Sequence, residues 1–339
     1  MNPFMTLYFV LYNFRLLNAD GSELSQEALM KLWEFYNLLT GSTSSKPIIR
    51  VESDRNLRRQ FNADTQSPAL LAQFLFMTGE KGRICWTEGN FWNPDDISAE
   101  NFENICRSLK EYINEAAQGT NNKAKKVNAF CRMYAKFCSA LEDVSGMIEV
   151  YEKLGPEEKR KANLYYLALV HTINSPKYRE TSEFVSTTTN PDMAGRFKYD
   201  VCIYGWVPNK AGRFSRGNTI DIVDINNFSD LEGTGLPFCR IPVFPEQEEI
   251  AVRCGLLPHF IIGFAVKRVF YVNPAVFTAI EKMHGLTSFK ELSAFKRDIQ
   301  LYGLEINQEN FEEFCNRTNF KRYFTFDGKE YKLFSLSHK

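Results

Sequence analysis

The sequence predicts an α+β fold: helices up to about Gly155, then a strand-rich half, then further helices and a closing hairpin. Two observations point there. Before Gly155 the apolar residues recur at threes and fours, the spacing of one helix face. After it, short runs of β-branched and aromatic residues alternate with Pro, Gly and Asn. The change falls at Gly155-Pro156, where Gly can end one helix and Pro can open the next element. Residues 1–155 therefore read as a mainly helical domain or layer, and 156–339 as a strand-bearing domain. A chain of 339 residues can hold one large domain or two ordinary ones.

The opening MNPFMTLYFVLYNFRLL is apolar, but it lacks a basic lead and a cleavage site, and Arg15 interrupts it. It is too short to span a bilayer and reads as a buried strand in a cytoplasmic protein with no membrane partner. Ser25 to Leu39 carries Leu29, Leu32, Phe35 and Leu38 at helical spacing. A second helix begins near Asp96-Ile97-Ser98 and carries Phe102, Ile105, Leu109, Tyr112 and Ile113. Lys125 to Leu154 reads as one long helix, with Val127, Phe130, Tyr134, Phe137, Leu141, Val144, Ile148 and Tyr151 on one face. LYYLALVHTI fits either a strand or a helix continuing from Pro156. EFVSTTT, DVCIYGWV, TIDIVDI, IAV and HFIIGFAV read as strands. Helices return at Ser288 to Leu301 and Asn310 to Phe314, and Asp327-Gly328 marks a tight turn between two final strands.

Lys plus Arg and Asp plus Glu both number 41, so no net charge advertises a nucleic-acid or anionic-membrane partner. The basic run Lys123 to Lys126 reads as a solvated helix start. The 8 cysteines show no C-x-x-C pair and no His at zinc-site spacing, which implies a reducing compartment and no structural metal.

The stretch FPEQEEI, Phe244 to Ile250, crowds Glu246, Glu248 and Glu249 before an apolar run. Read as a strand entrance, it points Gln247 and Glu249 to one face and Glu246 and Glu248 to the other. A carboxylate two residues after an amide on one face is a usable pair. The carboxylate can stabilise a developing cation, and the amide can hold the nucleophile that captures it. A solvated acidic loop is the plainer reading. Upstream, FVSTTTN ends a strand in hydroxyls and is followed by PDMAGRF, which reads as a helical turn.

Together these segments resemble the catalytic core of toxin-type mono-ADP-ribosyltransferases, a family ordered as Arg, then a Ser-Thr-Ser-like strand, then a strand carrying Glu. FVSTTTNPDMAGRF resembles the second motif, TIDIVDINNFSD the passage before the turn-turn loop, and Gln247-Glu248-Glu249 the Gln-x-Glu variant of the third. The likeness covers roughly residues 160 to 275. It implies a two-sheet core in residues 156–339 and NAD as substrate. It casts Glu249, Gln247 and Ser186 as catalytic, with Phe244 at the acceptor. His171, Arg179, Thr187 and Thr188 would meet NAD. His171 and Arg179 stand closer to the Ser-Thr strand than the family's first motif, and Arg132 is a further option.

In that chemistry Glu249 stabilises the positive charge that builds on the ribose carbon as nicotinamide leaves. Ser186 orients Glu249, and Gln247 holds the acceptor. The Gln-x-Glu form implies an acceptor other than arginine, on an intracellular protein or nucleic acid, with the helical half recognising the target or restraining activity. A toxin or defence effector fits this description. Two alternatives are a non-catalytic module of the same fold and an NAD glycohydrolase that uses water as acceptor.

Overall fold

The run KPIIRV, to which the sequence alone assigns no element, has Ile48 and Ile49 buried and Val51 half-buried. Neighbouring residues buried on both faces mark a central strand. In the computed structural model this run lies in β2 (Ser45–Glu52). The structure describes residues 3–41, 45–61, 63–80, 94, 96–173, 184–193, 200–208, 222–226, 231–253, 256, 260–274, 276–277, 322–326 and 331–335.

The other sheet strands are β1 (Arg15–Leu17), β3 (Phe184–Thr188), β4 (Val201–Pro208), β5 (Ile222–Asp224), β6 (Glu249–Arg253), β7 (Ile261–Val266) and β8 (Val269–Val272). All eight form one sheet in the order β1-β8-β7-β4-β2-β3-β6-β5. The β1–β8 pair is parallel and the remaining pairs are antiparallel, so the sheet is mixed. The expected two-sheet core is therefore incorrect. β2 is the reason: it pairs with β4 along its whole length and with β3 at Ile49↔Thr188, and so joins both groups of strands. Among the described residues the other sheet is the hairpin of β9 (Arg322–Phe326) and β10 (Tyr331–Ser335). The Asp327-Gly328 turn and the helices expected at 288–301 and 310–314 lie outside the described residues.

Strands from both sides of Gly155 share the sheet, so the first half is helical with two strands added. The apolar N-terminus is a helix, α1 (Pro3–Asn13), rather than a strand. Leu7, Val10 and Leu11 face the core, while Met5, Tyr8, Phe9 and Tyr12 are exposed. Apolar residues on both faces hide the helical period. α2 (Gln26–Gly41), α3 (Asp54–Phe61) and α4 (Pro68–Thr78) follow. α5 (Ala99–Ala117) is capped by Ser98, whose hydroxyl accepts from Asn101 N.

The single helix expected over 125–154 is three: α6 (Asn122–Met133), α7 (Ala135–Ala140) and α8 (Ser145–Glu152). Tyr134, at φ −113° and ψ 47°, breaks the first join. At the second, Asp143 Oδ1 accepts from Ser145 N in a tight turn. Phe130, Phe137, Leu141, Met147 and Tyr151 are buried across both breaks, which is why the apolar pattern reads as continuous. LYYLALVHTI belongs to α9 (Pro156–Ile173). Gly155 N donates to Glu158 Oε2 at its start, half of a capping box. Residues 162–170 are buried all round, a pattern that cannot separate a core helix from a strand.

Two apolar clusters sit against the sheet. Ile250 and Val252 of β6 join α1–α4 in one, and Ala251 joins α5–α9 in the other. The alternation along β6 places the clusters on opposite faces.

Candidate active site

Pro245–Gln247 form a 3₁₀ turn, and Glu248 then adopts left-handed backbone at φ 44° and ψ 50°. Proline suits the first position of such a turn. The strand begins only at Glu249, so the expected alternation of faces does not extend back over 246–248. Glu246 is ion-paired with Lys126 of α6, whose Nζ lies 5.5 Å from the Phe244 ring centroid. Glu246 is therefore held by a cation rather than left to solvent. Gln247 is half-buried and Glu248 exposed.

The end of β3 clamps this loop. Thr188 Oγ1 donates to Gln247 O, Thr189 N donates to Glu248 O at 3.1 Å, and Asn190 Nδ2 donates to Glu246 O at 2.8 Å. Three consecutive carbonyls that lack ladder partners are satisfied by one hydroxyl-rich segment. Thr187 Oγ1 donates to Ile250 O at 2.8 Å. The hydroxyls of Thr187 and Thr188 thus bond to the neighbouring backbone.

β3 and β6 pair with Ser186 opposite Ala251 and Thr188 opposite Glu249. Directly opposed residues share a face, so Ser186, Thr188 and Glu249 all point toward the α9 side. There His171, in the last turn of α9, meets them. Its Nε2 lies 2.7 Å from Ser186 Oγ and 3.3 Å from Glu249 Oε1. Thr172 Oγ1 donates to Ala168 O and lies 3.5 Å from Glu249 Oε2. LYYLALVHTI fitted either a strand or a helix, and the structure places His171 on the helix. Carboxylate and hydroxyl meet the same ring nitrogen. A Ser-His-acid relay needs them on opposite nitrogens, so this is not the geometry of a serine nucleophile.

Glu249 is 6% exposed. Burial pushes its carboxyl up, but His171, Ser186 and Arg50 together outweigh that and hold it below its ordinary value of 4.5. The group is therefore a buried anion at neutral pH.

Arg50 of β2 is the residue that sequence reasoning missed. Its Nη1 donates to Ser186 O at 2.9 Å. Its Nη2 is ion-paired with Glu52 and lies 3.4 Å from Glu80 Oε1. Asn56 Nδ2 donates to Glu52 and Gln60 Nε2 to Glu80. Burial alone would lower the Arg50 pKa; the two carboxylates reverse that and raise it. Arg50 Nε and Glu249 Oε1 are buried atoms that make no hydrogen bond among the described residues. One signal was available: a lone cation inside the apolar run Ile48-Ile49-Arg50-Val51. Arg50 lies 136 positions before Ser186, with α3–α9 between them, so a search of the nearby sequence passes it by.

The structure thus brings Ser186, Glu249 and His171 together and adds Arg50. Arg132 is exposed on α6, and Arg179 lies outside the described residues. Among the described residues no group of three or more His, Cys, Asp and Glu is placed to hold a metal. No described helix is long and apolar enough to cross a membrane. No family model, curated protein or solved structure matches the chain.

Proposed function

We propose that the chain is an NAD-dependent mono-ADP-ribosyltransferase acting on an intracellular macromolecule. The observation that carries this reading is the buried Glu249 carboxylate, kept anionic beside Ser186, His171 and Arg50. A fixed anion in a site of low polarity stabilises a developing cation more than it stabilises a neutral ground state. The order along the chain also fits: Arg50 on one strand, Ser186 on the next, Glu249 on the third.

When NAD is bound, it supplies a ribose carbon whose bond to nicotinamide breaks, with both electrons leaving on nicotinamide. Glu249 accepts a hydrogen bond from a ribose hydroxyl and offsets the charge left behind. Ser186 and His171 hold the carboxylate in place. Arg50, whose Nε is buried and makes no hydrogen bond among the described residues, is the cation assigned to phosphate. Gln247, on the turn before β6, holds the acceptor, and Phe244 lies beside it. Glu249→Ala is expected to abolish both nicotinamide release and labelling of the acceptor. Gln247→Ala is expected to abolish labelling and leave slow nicotinamide release, because water can still capture the cation. Loss of both activities in Gln247→Ala contradicts the division of roles.

A second reading is favoured by the small exposure of Glu249 and by the bonding of the Thr187 and Thr188 hydroxyls to backbone. In it the cluster is an internal anchor of a non-catalytic module. A wild-type protein that binds NAD without releasing nicotinamide supports that second reading.

A further inference from the structure

Of the seven large apolar side chains that are exposed among the described residues, five lie on α1 and α2: Met5, Tyr8, Phe9, Tyr12 and Met30. They form one patch. Met5, Phe9 and Tyr12 follow one line along α1, at spacings of four and three. Tyr8 stacks on Tyr12 with ring centroids 6.0 Å apart and meets Trp33 of α2 edge-on at 5.6 Å. Met30 lies about one turn before Trp33 on α2. Tyr36 Oη donates to Phe4 O at 3.2 Å, and the Tyr36 ring meets those of Tyr8 and Trp33, so the two helices are held together beneath the patch.

We propose that this patch is the face through which two copies of the chain pair about a two-fold axis. Size is the first argument. Five large side chains, more than half exposed on average, leave on the order of 500 Å² of apolar surface before any rim is counted. A stable interface takes about 800 Å² from each partner, so the patch has the scale of an interface core. Single exposed apolar residues need no partner, but joined aromatic ones mark an interaction site.

Composition and charge choose the occupant. Tyr, Trp, Phe and Met are enriched in the cores of protein interfaces, and Lys, Glu and Asp are depleted there. α1, PFMTLYFVLYN, has no charged residue. α2 carries Glu27, Lys31 and Glu34, and the first two pair with each other at 3.0 Å. Arg15, just after α1, pairs with Glu23 at 2.7 Å. An uncharged centre set against its own copy meets no like charge, which is what a two-fold contact requires. The same features argue against a lipid surface. A helix lying in a membrane carries Lys and Arg beside its apolar face, whereas the other side of α1, with Leu7, Val10 and Leu11, is built into the core.

The test is sedimentation equilibrium of the full chain across the micromolar range. Wild type is expected to reach twice the chain mass at the upper end and to dissociate on dilution. Tyr12→Lys and Met30→Lys each set a charge opposite its own copy and are expected to weaken pairing about tenfold or more. Tyr12 is 71% exposed and Met30 65%, so both variants keep the circular dichroism of wild type. Met133→Lys changes a residue of similar exposure on α6 and pairs as wild type does. A wild type that stays monomeric, one that grows beyond the dimer without a plateau, or patch variants that pair as tightly as Met133→Lys overturn the proposal. A monomeric wild type that floats with phosphatidylcholine vesicles gives the patch to a lipid surface and overturns it equally.

Discussion

Arg50 donates from Nη1 to the carbonyl oxygen of Ser186 at 2.9 Å, across the seam between β2 and β3. These strands share the single register pair Ile49↔Thr188, so little ladder bonding joins them there. A guanidinium does what a neighbouring N–H does elsewhere in the sheet. The same side chain helps to keep Glu249 ionised, so the seam of the sheet and the candidate active site are one arrangement.

Removing that cation takes a counter-charge away from the buried Glu52 and Glu80. Their side chains are 1% and 0% exposed. Arg50→Ala is expected to destabilise the fold by about 3–5 kcal/mol, as breaking a buried ion pair does. Arg50→Lys keeps the charge but not the fork of donors, and loses less. Urea denaturation of both variants checks this. An Arg50→Ala protein as stable as wild type excludes the network as a structural element.

Glu249 makes stability depend on pH in a definite sense. Its folded pKa lies below the ordinary 4.5, so its contribution is complete above that value and is lost as pH falls through the folded pKa. Glu249→Gln cannot titrate. The stability gap between wild type and Glu249→Gln therefore narrows as pH is lowered from about 6 to about 3. Denaturation midpoints across that range measure the gap, and a gap that widens in acid contradicts the assignment of Glu249 as a stabilised anion.

Glu248 occupies the left-handed region at φ 44°. Glycine holds that backbone without penalty, and a β-branched residue does so poorly. Glu248→Gly is expected to be neutral or to stabilise by up to about 1 kcal/mol, and Glu248→Val to destabilise by about 1–2 kcal/mol. The order of the two thermal midpoints is the readout, and a reversed order removes the left-handed turn from the account.

The Thr188 hydroxyl donates to Gln247 O and accepts from Asn190 N at 2.8 Å. Thr188→Val keeps the shape and deletes both bonds. It is expected to cost about 1–2 kcal/mol, more than Thr189→Ala, whose hydroxyl is more exposed. Equal losses in the two variants show that the loop is not clamped through Thr188.

Much of this arrangement was legible because it is local. The strands EFVSTTT and IAV and the helix start at Ser98 each follow from propensity and capping within a few residues. Gly155 reads in the sequence as the C-cap of the helix before it, but α8 ends at Glu152 with Lys153 as its cap, and Gly155 stands at the start of α9. The parts that were not legible depend on distance or on uniform burial. α1 is apolar on both faces and α9 is buried all round, so neither shows a helical period. The break at Tyr134 leaves the apolar spacing intact. β2 gains its place from pairing with strands more than a hundred residues away, and Arg50 comes with it. The alternation of faces expected over 246–249 fails at the turn before β6, because a left-handed Glu leaves no mark on composition.

The most direct measurement is nicotinamide release from millimolar NAD by the purified full chain, run beside Glu249→Gln, with thermal midpoints recorded for both. Wild type is expected to release nicotinamide, and Glu249→Gln to do so about 10²–10³ times more slowly. NAD should raise the midpoint of both proteins, since a ligand bound only by the native state stabilises it. A wild-type protein that neither releases nicotinamide nor gains stability from NAD contradicts the assignment of this cluster to ADP-ribosyl transfer.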